Sequence, residues 1–182
     1  MLFSKDKQLV RKVKNGCKQS MLTIYLNNKD HLLTLANALL SNRTEAEDVV
    51  HDAFVSFVRN VETLNLRKSL KAYLGTCVCN LARDRLRTQN VHKKKIDNYH
   101  SEHTSLDAPD ILASAKETKN LIRVALQQLP LEQKEVILLH IKAGLTFKQI
   151  AAYQDVSINT AQGRYRYAIE KLRTILNSEL TK

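Results

Sequence analysis

The chain has 182 residues, 29 Lys and Arg against 18 Asp and Glu, a net charge of +11 and a sequence pI near 9.7, so it holds one medium domain or two small ones and its partner should be an anion. No run approaches ~18 consecutive apolar residues, and MLFSKDKQLVRK lacks the apolar stretch and cleavage site of a signal peptide; a cytoplasmic protein that neither spans nor binds a membrane is expected. Four scattered glycines, two prolines and three cysteines (Cys17, Cys77, Cys79) give an all-α composition without a disulfide framework, and they exclude the Walker loop, the dinucleotide fingerprint and the nucleophile elbow, each of which needs clustered glycines.

Apolar residues recur at helical spacing through Leu9, Val10, Val13, Met21, Leu22, Ile24 and Tyr25, and again from Leu32 to Leu40, which predicts two helices. Thr44, with Glu47 three residues on, predicts a capping box at the head of a third helix, whose apolar stripe is Val50, Phe54, Phe57, Val58 and Val61. That helix is acidic along one side, at Glu45, Glu47, Asp48 and Asp52, in a basic protein; such a face would repel DNA and should meet a protein. After the polar stretch 62–68, a fourth helix over 69–87 puts Leu70, Leu74, Cys77 and Leu81 on one face, so Cys77 reads as core. Asn80, Asp84 and Arg87 lie on another, near Arg83 and Tyr73, a set able to stack on and hydrogen-bond an unpaired base.

The segment from Val91 to about 113 loses the apolar period, mixes Ser, His, Asn and Asp, and holds Pro109, which predicts a linker. The domains are therefore placed at 1–90 and 114–182, with 91–113 between them. In the second, Leu121, Ile122, Val124, Ala125 and Leu129 mark one helix, and Pro130 suits the first position of the next. Gly144 fits a C-terminal cap, and Thr146 with Gln149 makes a capping box for a short helix. Asp155 and Val156 turn the chain, and Ser157 caps a long final helix with a buried stripe of Ile158, Ala161, Tyr165, Ala168 and Leu172. This is a helix-turn-helix. Its other face, Thr160, Gln162, Arg164, Arg166, Tyr167 and Lys171, carries the groups that pair with phosphate and with base edges in the major groove.

On these residues the chain resembles the two-region bacterial sigma factors of the sigma-70 superfamily, of the extracytoplasmic-function type. LVRKVKNG, AEDVVHDAFVSF and SLKAYLGTCVCNLARDRLR look like that family's region 2, and LPLEQKEVILLHIKAGLTFKQIAAYQDVSINTAQGRYRYAIEKLR is similar to its region 4. The resemblance implies an all-α protein of two small helical domains, a four-helix region 2 and a helix-turn-helix region 4, joined by a flexible linker. It implies a promoter-specificity subunit of RNA polymerase with no catalytic residue, metal or cofactor of its own and no small-molecule substrate. Polymerase docking, on the beta-prime coiled coil, falls to Glu47, Asp48, His51, Asp52 and Phe54, and the beta flap is a further contact on core. Capture of the −10 element falls to Asn60, Leu64, Arg67, Lys68, Tyr73, Asn80, Arg83, Asp84 and Arg87. The −35 contacts fall to Ser157, Asn159, Thr160, Gln162, Gly163, Arg164, Arg166, Tyr167 and Lys171. An anti-sigma factor is a candidate regulator.

Family members carry Gln where His51 stands, often Trp at Tyr73, a basic residue at Gln162, Ser at Gly163 and frequently Arg at Tyr167; the last three departures bear on which −35 sequence is read. The alternative, a stand-alone helix-turn-helix regulator, leaves the acidic helix and the Tyr73–Asn80–Arg87 helix without a purpose, and a general RNA-binding protein explains only the charge. A zinc reading of Cys77-x-Cys79 with His100-x-x-His103 fails on spacing, because a closed site wants four ligands in recurrent short steps. Asp107 and Asp110 have no nucleophile or base beside them.

Overall fold

The computed structural model describes residues 2–66, 69–96 and 113–180, and every regular element among them is a helix. In chain order these are α1 (Leu2–Lys14), α2 (Lys18–Leu40), α3 (Arg43–Asn60), α4 (Leu70–Ile96), α5 (Ala113–Gln127), α6 (Leu131–Ile141), α7 (Phe147–Gln154) and α8 (Ile158–Leu180). Arg67, Lys68, His100, His103, Asp107, Pro109 and Asp110 lie outside the described residues.

The helix ends follow local chemistry, with some shifts from expectation. The first break falls at Gly16, not between Tyr25 and Leu32: Gly16 takes φ +78°, a left-handed conformation that glycine adopts without a Cβ penalty. Asn27 and Asn28 do not interrupt α2, since Asn28 turns its amide back onto the Ile24 carbonyl at 2.8 Å. The cap of α3 is Asn42, not Thr44. Asn42 is extended, and its side-chain oxygen accepts from the Glu45 N–H at 3.2 Å. Pro130 is likewise one residue earlier than expected, at the extended cap position before Leu131. α4 runs on to Ile96, past the residue at which the linker was expected to begin, because Thr88 to Ile96 contains neither Gly nor Pro to stop it.

Helix α2 packs on α1, α3 and α4 to form the first bundle, around Ile24, Leu32, Leu35, Val49, Phe57, Leu70, Leu74 and Val78. Helices α5, α6 and α7 pack on α8 to form the second, around Val136, Leu139, Leu145, Ile150, Ala161 and Ala168. Burying a Leu or Ile side chain contributes about 1.5–3 kcal/mol, so each set outweighs any single cap or surface pair. Three faces differ from their periodicity. Cys79 is the fully buried cysteine while Cys77 is half-buried; α5 buries Ala125 and Leu126 and leaves Ile122 and Val124 exposed, with Leu129 buried in the turn after it; and Ile158 is exposed.

The bundles also pack on each other, α2 and α4 against α6 and α2 against α5. They approach closely at Gly75 of α4, where an added Cβ would lie 2.8 Å from that of Ala143. His31 of α2 sits near this contact with a buried Nε2 that has no hydrogen-bond partner. Burial, then the charges of Lys71 on α4 and Lys142 after α6, push its pKa down to about 4. A folded pKa below the unfolded value of ~6.5 gives stability that is complete above pH 6.5 and is lost as pH falls from there toward 4. Between pH 7 and 5 the His31 contribution should drop by about 1 kcal/mol, after discounting for the solvent that reaches the ring. Urea denaturation at the two pH values checks this, and His31→Leu should remove the difference.

Candidate nucleic-acid and polymerase interface

The helix-turn-helix is built by caps at each corner. Thr146 Oγ1 accepts from the Gln149 N–H while the Gln149 side chain accepts from the Thr146 N–H at 2.9 Å, closing a capping box on α7. Asp155 ends α7 in the left-handed region at φ +53°, and Ser157 Oγ accepts from the Thr160 N–H at 3.0 Å to start α8. An aromatic cluster holds the three helices at a fixed angle. Phe147 lies stacked on His140 with centroids 4.5 Å apart, and Tyr165 stands edge-on to both. The Leu145 carbonyl can only accept, so His140 Nδ1 carries the proton that bonds it at 2.8 Å.

On the outer side of α8, Ser157, Asn159, Thr160, Gln162, Arg166, Tyr167 and Lys171 are exposed, and Arg166 lies over the Tyr167 ring, 5.4 Å from its centroid. Gly163 is half-buried with open space where a Cβ would stand. Arg164 is the exception: it is half-buried and donates to Gln154 Oε1 at 2.8 Å.

In the first bundle, Lys14 of α1 donates to the carbonyls of Glu62 and Leu64 at 3.0 and 2.9 Å, and Asp6 accepts from the Leu70 N–H at 2.9 Å. The loop between α3 and α4 is thus tied down at both ends by α1. Asn60 is exposed, whereas Leu64 is partly buried against the core. Tyr73 is half-buried, edge-on to Phe57 at 6.2 Å, and burial pushes its hydroxyl pKa up to about 12, so it stays a donor at neutral pH. Asn80, Asp84 and Arg87 are exposed in a row along α4. Arg83, expected among them as a DNA contact, turns instead toward the second bundle, where it grips Glu135 with two hydrogen bonds, Nε to Oε1 at 3.0 Å and Nη2 to Oε2.

The acidic side of α3 is exposed but not bare. Arg85 of α4 reaches Asp48 at 3.3 Å and Asp52 at 3.4 Å, Gln89 donates to both oxygens of Glu45, and Arg43 pairs with Glu47 at 3.1 Å. His51 is exposed among them. Phe54, expected with the docking residues, is not on this surface: it is buried and packs on Tyr25 with centroids 4.9 Å apart, well round α3 from Asp48 and Asp52 although close in angle to Glu47. Sequence reasoning missed Glu135, Gln154 and Arg85. An acid directly before the apolar run Val136 to Leu139 is the one signal that could have marked Glu135 as buried and paired.

Among the described residues no helix is long and apolar enough to cross a membrane, and no group of three or more His, Cys, Asp or Glu could hold a metal ion. Two family models match in order: Sigma-70 region 2 over residues 24–91 and Sigma-70, region 4 over 119–172. The chain is 25% identical to the ECF RNA polymerase sigma factor SigW of Bacillus subtilis over 92% of this chain and 94% of that protein. With SigV of the same organism it is 26% identical over 92% and 98%. In three dimensions it matches CnrH, solved in complex with the cytosolic domain of CnrY, at a TM-score of 0.68 and 20% identity over 95% of this chain and 97% of that one. The sigma factor RpoE of Bartonella quintana, solved with the anti-sigma factor NepR, matches at 0.68 and 23% over 88% and 96%. Two ordered regions, full-length relatives and a shared fold converge: the chain belongs to the sigma-70 family, as an RNA polymerase sigma factor of the extracytoplasmic-function type that binds core polymerase and promoter DNA.

Proposed function

We propose that the two bundles divide promoter recognition between them, in the cytoplasm and with no catalytic step of the protein's own. The reading rests above all on the exposed amide and cationic face of α8, set by caps on both sides of the turn. Gln162 and Arg166, four residues apart, point where base edges lie when α8 enters the major groove of the −35 element. Lys171, farther along, meets phosphate. In the first bundle, Asn80 with Asp84 and Arg87 forms the surface that takes an unpaired −10 base, Asn60 contributes from the preceding loop, and half-buried Tyr73 supports the pocket from within.

The acidic exposed side of α3, Glu47, Asp48, His51 and Asp52, is the docking surface for the coiled coil of the polymerase beta-prime subunit. Negative charge there is mismatched to DNA and matched to a basic protein surface. The −10 unit then runs from α1 through α4 and the −35 unit from α5 through α8.

Asp48→Asn with Asp52→Asn removes two exposed pairs to Arg85, each worth about 0–1 kcal/mol, so the fold should persist while affinity for core falls about tenfold. Unchanged binding of the double variant to core, measured by competition with wild type, would place docking elsewhere. In transcription with core, Gln162→Ala and Arg166→Ala should each change preference at particular −35 positions by about 1–3 kcal/mol, whereas Lys171→Ala should weaken all promoters alike and reduce the salt slope by about one. Asn80→Ala should bind closed promoter normally yet open it poorly, and a template already mismatched at −10 should rescue it. Equal defects on both templates would assign Asn80 to folding or docking instead.

A further inference from the structure

A helix end leaves its last carbonyls without partners, and the chain after α3 satisfies them in two ways. Within the turn, the Asn60 carbonyl accepts from Thr63 Oγ1 at 3.2 Å and the Val61 carbonyl from the Leu64 N–H at 3.2 Å. The carbonyls of Glu62 and Leu64 turn instead to α1, where the Lys14 ammonium donates to them at 3.0 and 2.9 Å. At the head of α4 the signs invert. Ser69 Oγ accepts from the Ala72 N–H at 3.2 Å, and the Leu70 N–H is taken by the Asp6 carboxylate at 2.9 Å. Each charge is the one its helix end attracts, a cation after the C-terminus of α3 and an anion at the N-terminus of α4.

Asp6 and Lys14 are eight residues apart on one helix, which puts them about 12 Å apart along its axis and within about 80° of each other around it. A stiff rod therefore sets the separation between Leu64 and Leu70, a distance that the intervening chain alone would leave free. The rod has its own seat, because Val10 is buried and Leu9 and Val13 pack on the core. Loss of either charge thus leaves α1 docked and releases the loop, whose freed backbone groups can bond water instead.

We propose, on the reading above that this loop and α4 carry the −10 surface, that Lys14 and Asp6 are positioning residues for −10 recognition: α1 holds the loop in the shape that accepts the unpaired base before DNA arrives. Both act through the backbone they hold. A base leaves its stack at a cost, and a loop that had to order itself at the same moment would add to that cost. With the loop already tied at both ends, the base meets a formed surface, and the same rigidity rejects bases of the wrong shape.

Open-complex formation by the full-length protein with core tests this, on a duplex promoter and on templates already mismatched at −10 that carry each of the four bases at the captured position. Lys14→Met keeps most of the stem and removes the donors, and Asp6→Ala removes the acceptor. Both should keep closed-complex binding, while opening of the duplex and base discrimination on the mismatched templates each fall about tenfold. Lys14→Arg can still donate to two carbonyls and the amide oxygen of Asp6→Asn still accepts, so these should stay within about twofold of wild type. Val10→Ala loosens α1 without touching the loop bonds; it should lower the melting temperature and leave discrimination intact. Normal discrimination by Lys14→Met and Asp6→Ala, their failure to fold, or an equal loss in Val10→Ala would overturn the proposal and make the bonds part of the seat of α1. Asn80→Ala, measured alongside, separates the two readings. If it too discriminates normally, the −10 surface lies elsewhere and the clamp falls with it; discrimination lost in Asn80→Ala but kept in Lys14→Met refutes the clamp alone.

Discussion

A carboxylate removed from water costs several kcal/mol unless cations and donors surround it, and Glu135 is surrounded from two bundles at once. The protonation states around it are fixed by their surroundings. The bond to Glu135 holds the Arg83 guanidinium even more firmly charged than usual, and burial pushes the Tyr153 hydroxyl and the Cys79 thiol far up, so both stay neutral. Much of the remaining arrangement follows from this site: α4 must lie against α6, Gly75 must carry no side chain, and Gln154 must bridge to α8. Breaking the pair from one side would leave the other charge buried and unpaired, so the contact needs Arg83 and Glu135 together.

The helix-turn-helix obeys a different constraint. Its geometry is set within about thirty residues, by the Thr146–Gln149 box, the left-handed Asp155, the Ser157 cap and the His140–Phe147–Tyr165 cluster. Each cap contributes about 1 kcal/mol, too little to hold a bundle together but enough to fix where each helix starts and hence which side chains of α8 face outward. A recognition surface built this way keeps its shape whether the bundles are apart or together. The −10 surface is less self-contained: the loop after α3 owes its position to Lys14 and Asp6, which come from the other end of the bundle.

This difference explains what could be read from the sequence. Thr146, Gln149, Ser157 and the turn at Asp155 act over three or four residues, and each falls where the motif put it. The all-helical class was equally legible, because glycine and proline are scarce and apolar spacing is helical throughout. Errors arose where two equally good local solutions compete, as with Asn42 and Thr44, or where a polar pair such as Asn27–Asn28 can stay inside a helix. They arose again where burial comes from a distant partner. Periodicity assigns one buried face per helix, but α4 has two, one toward α2 and α3 and another, at Gly75, Cys79 and Arg83, toward α6. Local spacing therefore assigns Arg83 to the −10 surface, and it groups Phe54, two turns past Glu47, with the acids.

The placement of charge completes the argument. With a net charge of +11 the protein is drawn to any polyanion, and without counter-measures it would cover non-specific DNA and present no surface to a basic partner. Two devices work against this. Asp48 and Asp52 are held by Arg85 at separations above 3.2 Å, close enough to keep the acids ordered yet exposed, so an incoming cation can still pair with them. Glu135 pairs with Arg83 and, through Gln154, reaches Arg164, so part of the positive charge is answered inside the protein. Acidic α3 thus offers an exposed face matched to a basic protein surface on a chain whose net charge otherwise suits nucleic acid.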